Sequence, residues 1–351
     1  MHQQKFITID IGCTWSKAFL VSVDEKDCVQ VEQSARLPTT TGNLLVGLEV
    51  LLSEIPEKDV PIIFVGSLPE VENLAKEKKA DFVTEKDVKQ ALLEFFKEAG
   101  SNVFILDSGA SNFKEAFKVE DVGKFLTFPI TSVSLDDFLG NKMLRLHNLP
   151  NTPRELEIEE SFLRDVFAKN FLGRTKEKKL SILLTGGAFS GAPSIARVAL
   201  LVLDILEKGD IAQVRFDREF FLPSFGALLT KHKQLQIAST GNWLEALGAF
   251  VSLGGSSSIN LDWGYSQLQK VDIEAEEISL IPAPPEQVIE LSVPLNNKEK
   301  KTISLLGGSL GIFLDARTKP LGLAFGQDSS RNRVLSWRKD LEKAVTTKEV
   351  F

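Results

Sequence analysis

The chain has 351 residues, which at roughly 150 residues per domain is room for about two domains. Its 43% hydrophobic and 25% charged residues are ordinary for a globular protein with a large core, and a formal net charge of −7 argues against a general nucleic-acid binder, whose affinity comes from cations neutralising phosphates. Two cysteines, Cys13 and Cys28, and three dispersed histidines, His2, His147 and His232, exclude a Cys-rich zinc site or a disulfide framework and argue against histidine-based catalysis.

The polar first residues lead straight into a strand, with no signal peptide, and no apolar run reaches the ~18 residues of a membrane span. A cytoplasmic protein with no membrane partner is expected. Residues 6–10 read as a short buried strand ending at Asp10, residues 13–17 as a polar turn and residues 18–23 as a second strand, a hairpin with a phosphate-sized turn. Residues 29–37 alternate as a further strand, residues 44–55 carry apolar positions at helical spacing, and Pro56 stops them. A strand over 60–65 and a charged helix over 69–79 follow. Thr84 is the expected N-cap of a helix running to about Ala99, with Asp87 three residues on and Gly100 ending it.

Residues 103–106 read as an apolar strand ending at Asp107, and residues 113–119 as the returning arm of a second hairpin. Helices are expected over 135–147 and 156–172, then a buried strand over 180–184, an apolar helix over 194–206 and a short strand over 214–216. A helix over 225–235 and a helix or strand over 243–253 follow. From Gly254 to Gln327 the chain turns to short β segments with Gly, Pro and Asn turns, and Pro282, Pro284 and Pro285 stiffen one connection. Residues 329–346 read as a charged tail helix. The strand–acid–glycine turn occurs twice, at Asp10 and at Asp107, and suggests two related α/β subdomains. The expected organisation is a two-lobed core over 1–252, a small all-β domain over 253–328 and a tail helix over 329–351.

Three segments carry chemistry. In Asp10-Ile11-Gly12-Cys13-Thr14-Trp15-Ser16-Lys17 a strand delivers Asp10 to its end, Gly12 permits a tight turn, and the next N–H groups can form an anion nest. Thr14 and Ser16 add hydroxyls, Lys17 adds a positive charge, and Asp10 suits Mg²⁺ held through water. Asp107-Ser108-Gly109-Ala110-Ser111 repeats the layout. In Thr185-Gly186-Gly187-Ala188 two glycines at a strand end let a flat base or ribose approach the backbone. Each has a plain reading as a turn or connector, and their order is what separates the readings. Trp15 reads as packing between subdomains or as a cleft wall, Arg317 as a surface ion pair, and the Arg174, Lys176, Lys178 and Lys179 run as a solvated loop.

Acid turn, helix, acid turn, helices and Gly-Gly turn, in that order, resemble the actin, hexokinase and heat-shock-chaperone ATPase superfamily. The three segments look like its first phosphate loop, second phosphate loop and adenosine loop. Within it, FITIDIGCTWSKAFLVSV, ARLPTTTGNLLVGLE, LLTGGAFSGAPS, FDREFFLPSFGALL and the stretch from GGSLGIFLDARTKPLG to SWRKDL resemble the glutamate-mutase-associated MutL family, distinct from the mismatch-repair protein of that name. The resemblance implies an actin-like α/β ATPase core with an appended β domain. It implies ATP or ADP with Mg²⁺ bound by Asp10, Gly12, Cys13, Thr14, Lys17, Asp107, Gly109, Ala110, Gly186, Gly187 and Ala188. Asp10 and Asp107 would position the ion, and Glu85 would orient water towards the γ-phosphate; its plainer role is to favour its helix's N-terminus. A protein partner such as a cobalamin-dependent mutase is implied, and self-association is a second option.

The departures matter. The superfamily's second loop reads like D-x-G-G-x-T-x-D, whereas Ala110 replaces the second glycine, Asn112 the threonine, and Lys114 stands near the late acid. Slow or absent turnover is therefore expected. The leading reading is a nucleotide-dependent switch on a protein partner, a weak ATPase at most. One rival is a scaffold that binds without hydrolysing. The other is a small-molecule kinase with Asp107 as general base, although no sugar-binding cluster of Asn, Asp and Glu adjoins the first loop.

Overall fold

The computed structural model describes residues 4–348, apart from 41, 58, 67, 98–100, 172–178, 238–242, 265–266 and 297–298. The first half comprises β1 (Gln4–Ile11), β2 (Trp15–Val23), β3 (Cys28–Pro38), α1 (Leu44–Ser53), β4 (Ile62–Gly66), α2 (Pro69–Glu77), β5 (Asp81–Thr84) and α3 (Glu85–Phe95). β6 (Ser101–Asp107) follows, then a 3₁₀ turn (Ala110–Lys114), α4 (Val119–Gly123), α5 (Ser132–Leu144), α6 (Pro153–Asn170), β7 (Lys179–Thr185), α7 (Gly187–Ser190), α8 (Ile195–Ile205), β8 (Ile211–Asp217) and α9 (Leu222–Lys231). The remainder is β9 (Gln236–Ile237), β10 (Leu244–Ser252), β11 (Ser257–Asp262), β12 (Leu268–Ile273), β13 (Ile278–Ile281), β14 (Val288–Asn296), β15 (Glu299–Leu306), β16 (Gly311–Asp315) and α10 (Asp328–Lys348).

The first sheet runs β5-β4-β1-β2-β3-β9, with β1–β2–β3 an antiparallel meander and β1, β4 and β5 parallel. β1 is buried on both faces. Ile7, Ile9 and Ile11 pack with Leu48 and Leu51 of α1 and with Val71 and Leu74 of α2. Phe6 points the other way, towards Val88 and Leu92 of α3 and Phe225 and Leu228 of α9. Strand alternation therefore turns Asp10 to the α3/α9 face. Thr84 caps α3 as expected, its hydroxyl accepting from the Asp87 N–H at 3.2 Å. α9 crosses from the second half onto the first sheet, and Gly226 lets it lie against α3: a Cβ there would stand 2.7 Å from Val88 Cγ1.

The second sheet runs β13-β16-β10-β8-β7-β6, with β6, β7 and β8 parallel. The expected second hairpin is absent. Residues 110–114 coil into the 3₁₀ turn because Phe113 is drawn into the core, its ring stacked 4.6 Å from that of Phe162. β6 stays an edge strand, and the two halves match only in their strand–acid turns. Residues 244–252 are strand β10, antiparallel to β8.

A C-terminal antiparallel sheet, β12-β11-β14-β15, is present. β13 and β16, from the same stretch, belong to the second core sheet, and Ile259, Leu261, Ile289 and Leu291 pack on Ala249, Val251, Ile312 and Leu314 of that sheet. The segment 253–328 is thus shared between an added layer and the core. The tail helix α10 closes the other face through Val334, Trp337, Leu341 and Val345.

Arg317 is no surface ion pair. It is fully buried, donating to Asp315 at 2.8 and 2.9 Å and to Asp204 of α8 at 2.8 Å, with its guanidinium 4.6 Å over the Trp337 ring. Arg164 of α6 donates to Asp204 and Lys319 lies 3.0 Å from Asp315. Burial opposes charge on Asp315, but Arg317 and Lys319 outweigh it and hold its carboxyl below the usual range. Of the basic run, Arg174, Lys176 and Lys178 lie outside the described residues, and Lys179 is the first residue of β7 rather than part of a loop, its ammonium donating to Ser304 O at 3.1 Å.

Two outcomes follow from this packing. Arg317→Met strips two buried carboxylates of a partner, and urea unfolding should show a loss of about 3 kcal/mol; a loss under about 1 kcal/mol would contradict the cluster's role. Residues 1–254 lack β13, β16 and α10, so that fragment should be insoluble or unfold without a cooperative transition. A cooperative melt by circular dichroism would show that residues 255–351 are dispensable to the core.

Candidate functional site

Three strands of the two core sheets carry an acid at or next to their C-terminal end: β1 at Asp10, β6 at Asp107 and β8 at Asp217, the last just past its final parallel pairing. Asp10 and Asp107 line a cleft of about 680 Å³ between the lobes, and Asp217 lies fully buried, off its lining. Twelve residues that the resemblance implies at a nucleotide site line the cleft: Asp10, Gly12, Cys13, Thr14 and Lys17 from the first loop, and Glu85 from the start of α3. Asp107, Gly109 and Ala110 come from the second loop, and Gly186, Gly187 and Ala188 from the third.

The first loop is a tight hairpin. The Gly12 N–H donates to Trp15 O at 3.0 Å, and a Cβ on Gly12 would press on that oxygen at 3.1 Å. Thr39, which sequence reasoning missed, staples the turn: its hydroxyl donates to Gly12 O at 2.7 Å and its N–H to Thr14 O at 2.9 Å. Ser16 departs from expectation. Its hydroxyl is 3.0 Å from that of Thr39 and does not line the cleft. The Thr14 hydroxyl reaches across to Leu146 O at 3.4 Å, beyond α5. Lys17 stands directly across from Asp10 in the β1–β2 register, with Nζ 2.8 Å from Oδ2.

The second loop is tied to itself and to the third. The Gly109 N–H donates to Asp107 Oδ1 at 2.8 Å, so it is not free for an anion nest. The Asn112 amide donates to Gly109 O at 3.0 Å and to Asp107 O. Ser108 donates its N–H to Thr185 O at 2.8 Å and accepts from the Phe189 N–H at 3.0 Å. Gly186 has φ +101°, and a Cβ there would sit 2.5 Å from Asp107 Oδ1 and 2.7 Å from Ser108 N. Glycine at 186 is therefore a requirement of this joint, because backbone and carboxylate occupy the space any side chain needs. Lys114 is exposed and lies off the cleft.

The electrostatics centre on Lys17. Burial works against its charge, but Asp10, then Asp107 and Asp217, outweigh it and raise its pKa. Asp107 is reached by solvent at the cleft face yet enclosed by protein behind. That burial, with smaller contributions from Asp10 and Glu85, pushes it up to about 6 against the pull of the Gly109 N–H and Lys17. Asp217 is fully buried, and burial pushes it to about 6 although it accepts from Leu222 N at 2.7 Å, Phe221 N at 2.9 Å and the Thr185 hydroxyl at 2.9 Å. Sequence reasoning missed Asp217. Its signal was a strand (VRFD) ending in an acid, as at Asp10 and Asp107, but without the glycine that follows those two. On the far wall Lys142 and Glu159 form an ion pair at 2.7 Å, and burial raises the Glu159 pKa against the pull of Lys142.

Among the described residues no group of three or more His, Cys, Asp or Glu side chains forms a ready-made metal cage, and no helix is long and apolar enough to cross a membrane. Mg²⁺ takes one or two carboxylates and keeps its waters or phosphate oxygens, and Asp10 and Asp107, which share the cleft lining, are carboxylates of the number and kind that fit that ion.

Asp107 and Asp217 bind a proton more tightly in the fold than in the unfolded chain. From about pH 4 to about pH 6 the native state holds more protons, so their contribution to stability is present below pH 4 and lost as the pH rises through 6. Asp107→Asn should make that fall shallower in urea titrations at pH 4, 5 and 6; an unchanged slope would contradict the raised value at Asp107.

No protein-family model matches the chain, and neither does any curated protein. Solved structures that overlap it include component A of (R)-2-hydroxyglutaryl-CoA dehydratase from Acidaminococcus fermentans, at 13% identity over 65% of this chain and 97% of that one, with a TM-score of 0.39. A ROK family protein from Streptococcus pneumoniae in complex with sucrose overlaps at 14% identity, 66% of this chain and 100% of that one, TM-score 0.34. The ethanolamine utilization protein EutJ from Carboxydothermus hydrogenoformans overlaps at 10% identity, 65% and 90%, TM-score 0.35. At such identities and scores they carry no inference of ligand or activity. What stands on this chain's own strand order is an α/β core of two mixed sheets facing one cleft, with a C-terminal antiparallel sheet added.

Proposed function

We propose that the protein is an actin-like, Mg²⁺-ATP-binding conformational switch that acts on a protein partner. The observation that carries this reading is the meeting of the three loops in one cleft whose walls belong to two lobes. Polyphosphate held between Asp10–Lys17 and Asp107–Ala110 would touch both lobes at once, and a ligand that binds the closed arrangement better shifts the population towards it. Asp10 and Asp107 would hold Mg²⁺, which when bound neutralises phosphate charge. Lys17 brings a cation to the same place, and Gly187, with open space where a Cβ would stand, leaves the third loop's backbone open to a nucleoside. Glu85, exposed at the first turn of α3, is the candidate for orienting a water.

Slow turnover is part of the proposal. The Asn112 amide closes the second loop on its own carbonyls and Lys114 turns away, so the loop lacks the late acid of active superfamily members. The same observation favours a second reading, a scaffold that binds nucleotide without hydrolysing it. The partner is proposed from the resemblance of residues 6–23 and 35–49 to the MutL family: a cobalamin-dependent mutase that the switch assists or reactivates. The sheet β12-β11-β14-β15 is the element proposed to face it.

Mg²⁺-ATP or Mg²⁺-ADP at about 100 times its Kd should add roughly 2.7 kcal/mol, a rise of about 4 °C in Tm for a chain of this size. Asp10→Asn should lose the Mg²⁺-dependent part. No shift with any nucleotide would overturn the reading. The isolated protein should hydrolyse ATP at well under about one turnover per second, slower than typical enzymes, and Glu85→Ala should lower any residual rate. Rapid turnover would contradict the closed-loop argument, and a residual rate indifferent to Glu85→Ala would make Glu85 structural only.

A further inference from the structure

A second compartment, of about 510 Å³, adjoins the cleft and shares Lys17, Arg36 and Ser190 with it. Its size is that of a small-molecule site. One wall comes from the first sheet (Phe19, Ser34, Arg36), the other from the second lobe (Phe216, Arg218, Glu219).

The register explains its charge. Asp10 pairs with Lys17 across β1–β2, and Lys17 pairs with Arg36 across β2–β3, so the three stand in one row on one face. Like charges placed directly opposite each other destabilise a sheet. Asp10 relieves Lys17 at 2.8 Å, and Arg218 has Glu245. Among the described residues Arg36 has no carboxylate partner. Its guanidinium lies 5.9 Å over the Trp15 ring and 6.0 Å over the Phe220 ring. Phe220 also carries Lys17 Nζ at 5.0 Å, and it holds φ +60°, an unusual backbone conformation for a bulky residue. Arg36 is exposed and only loosely set over the two rings, so its planar N–H edge is open to an acceptor and matches phosphate or carboxylate oxygens. Of the three cations on the lining Lys17 and Arg218 are already paired, which leaves Arg36 as the one facing the compartment without a carboxylate, with Glu219 the one acid on the lining.

The geometry points to a second ligand site in this compartment, for a small molecule bearing a phosphate or carboxylate group, with Arg36 as its principal contact. The site borders the proposed nucleotide cleft and shares Lys17 with it, but it rests on Arg36 and the register of β3 rather than on the nucleotide reading. Because its walls belong to both lobes, its ligand would sense their spacing.

The test is calorimetry on the full chain with inorganic phosphate and, separately, malonate, against potassium chloride of equal ionic strength. Wild type, Arg36→Gln and Arg36→Lys are compared, with and without saturating Mg²⁺ and a non-hydrolysable ATP analogue. At least one of the two anions should bind wild type, about tenfold or more weaker to Arg36→Gln, with Arg36→Lys between them. Binding should persist with the analogue present. Chloride-like behaviour of both anions, indifference to Arg36→Gln, or displacement by the analogue, which would put the anion in the γ-phosphate position, would each overturn the proposal. If the analogue itself fails to bind, the nucleotide reading falls and the arms without it still decide this site.

Discussion

The arrangement depends on one cation placed among strand-ending acids. Lys17 lies across from Asp10 in the β1–β2 register, and its ammonium also feels Asp107 and Asp217 from the opposite lobe. Burial makes ionisation costly for Asp107 and Asp217 and pushes both to about 6, with the charge of Asp10 adding a smaller push at Asp107. Lys17 offsets part of that cost, and it can be there only because Gly12 turns β1 back into β2 within a few residues. A site built this way has carboxylates for a divalent cation and a cation for an anion in one place. That combination suits the metal complex of a polyphosphate better than either ion alone.

The rest of the fold serves that meeting of lobes. α9 leaves the second lobe immediately after Asp217 caps its first turn, and packs on the first sheet against α3. α3 itself begins at Glu85 in the cleft. The two helices that join the lobes thus both start at the site, and their close approach at Gly226 makes their relative position sensitive to what the site holds. At the far end the buried cluster of Arg164, Asp204, Asp315, Arg317 and Lys319 ties α6, α8 and the end of β16 beneath α10. The second lobe is therefore one stiff body that includes its C-terminal helix.

Much of the site was legible because its signals are local. A strand that ends in an acid followed by glycine reads the same in sequence and in space, which is why Asp10 and Asp107 fell on the cleft as expected. Asp217 carried the same signal without the glycine and was passed over. The second hairpin failed for a non-local reason: Phe113 packs on Phe162, far away in sequence, and that burial outweighs the strand-like look of residues 113–119. Arg317 was misjudged on the same grounds, since its partners Asp204 and Trp337 arrive from α8 and α10. The short strands after residue 253 were recognised as strands, yet local pattern does not tell which sheet a strand joins, and β13 and β16 complete the core. Arg36 was invisible for a similar reason, because its meaning depends on standing opposite Lys17 and over Phe220.

The central claim, that the two acid turns embrace a metal-bound polyphosphate between the lobes, is tested most directly by a crystal structure grown with Mg²⁺ and a non-hydrolysable ATP analogue. The account expects the phosphates between the 10–17 and 107–110 segments, the ion beside Asp10 and Asp107, and the nucleoside against Gly186 and Gly187. An empty cleft at saturating analogue, or a nucleotide bound elsewhere on the protein, would contradict it.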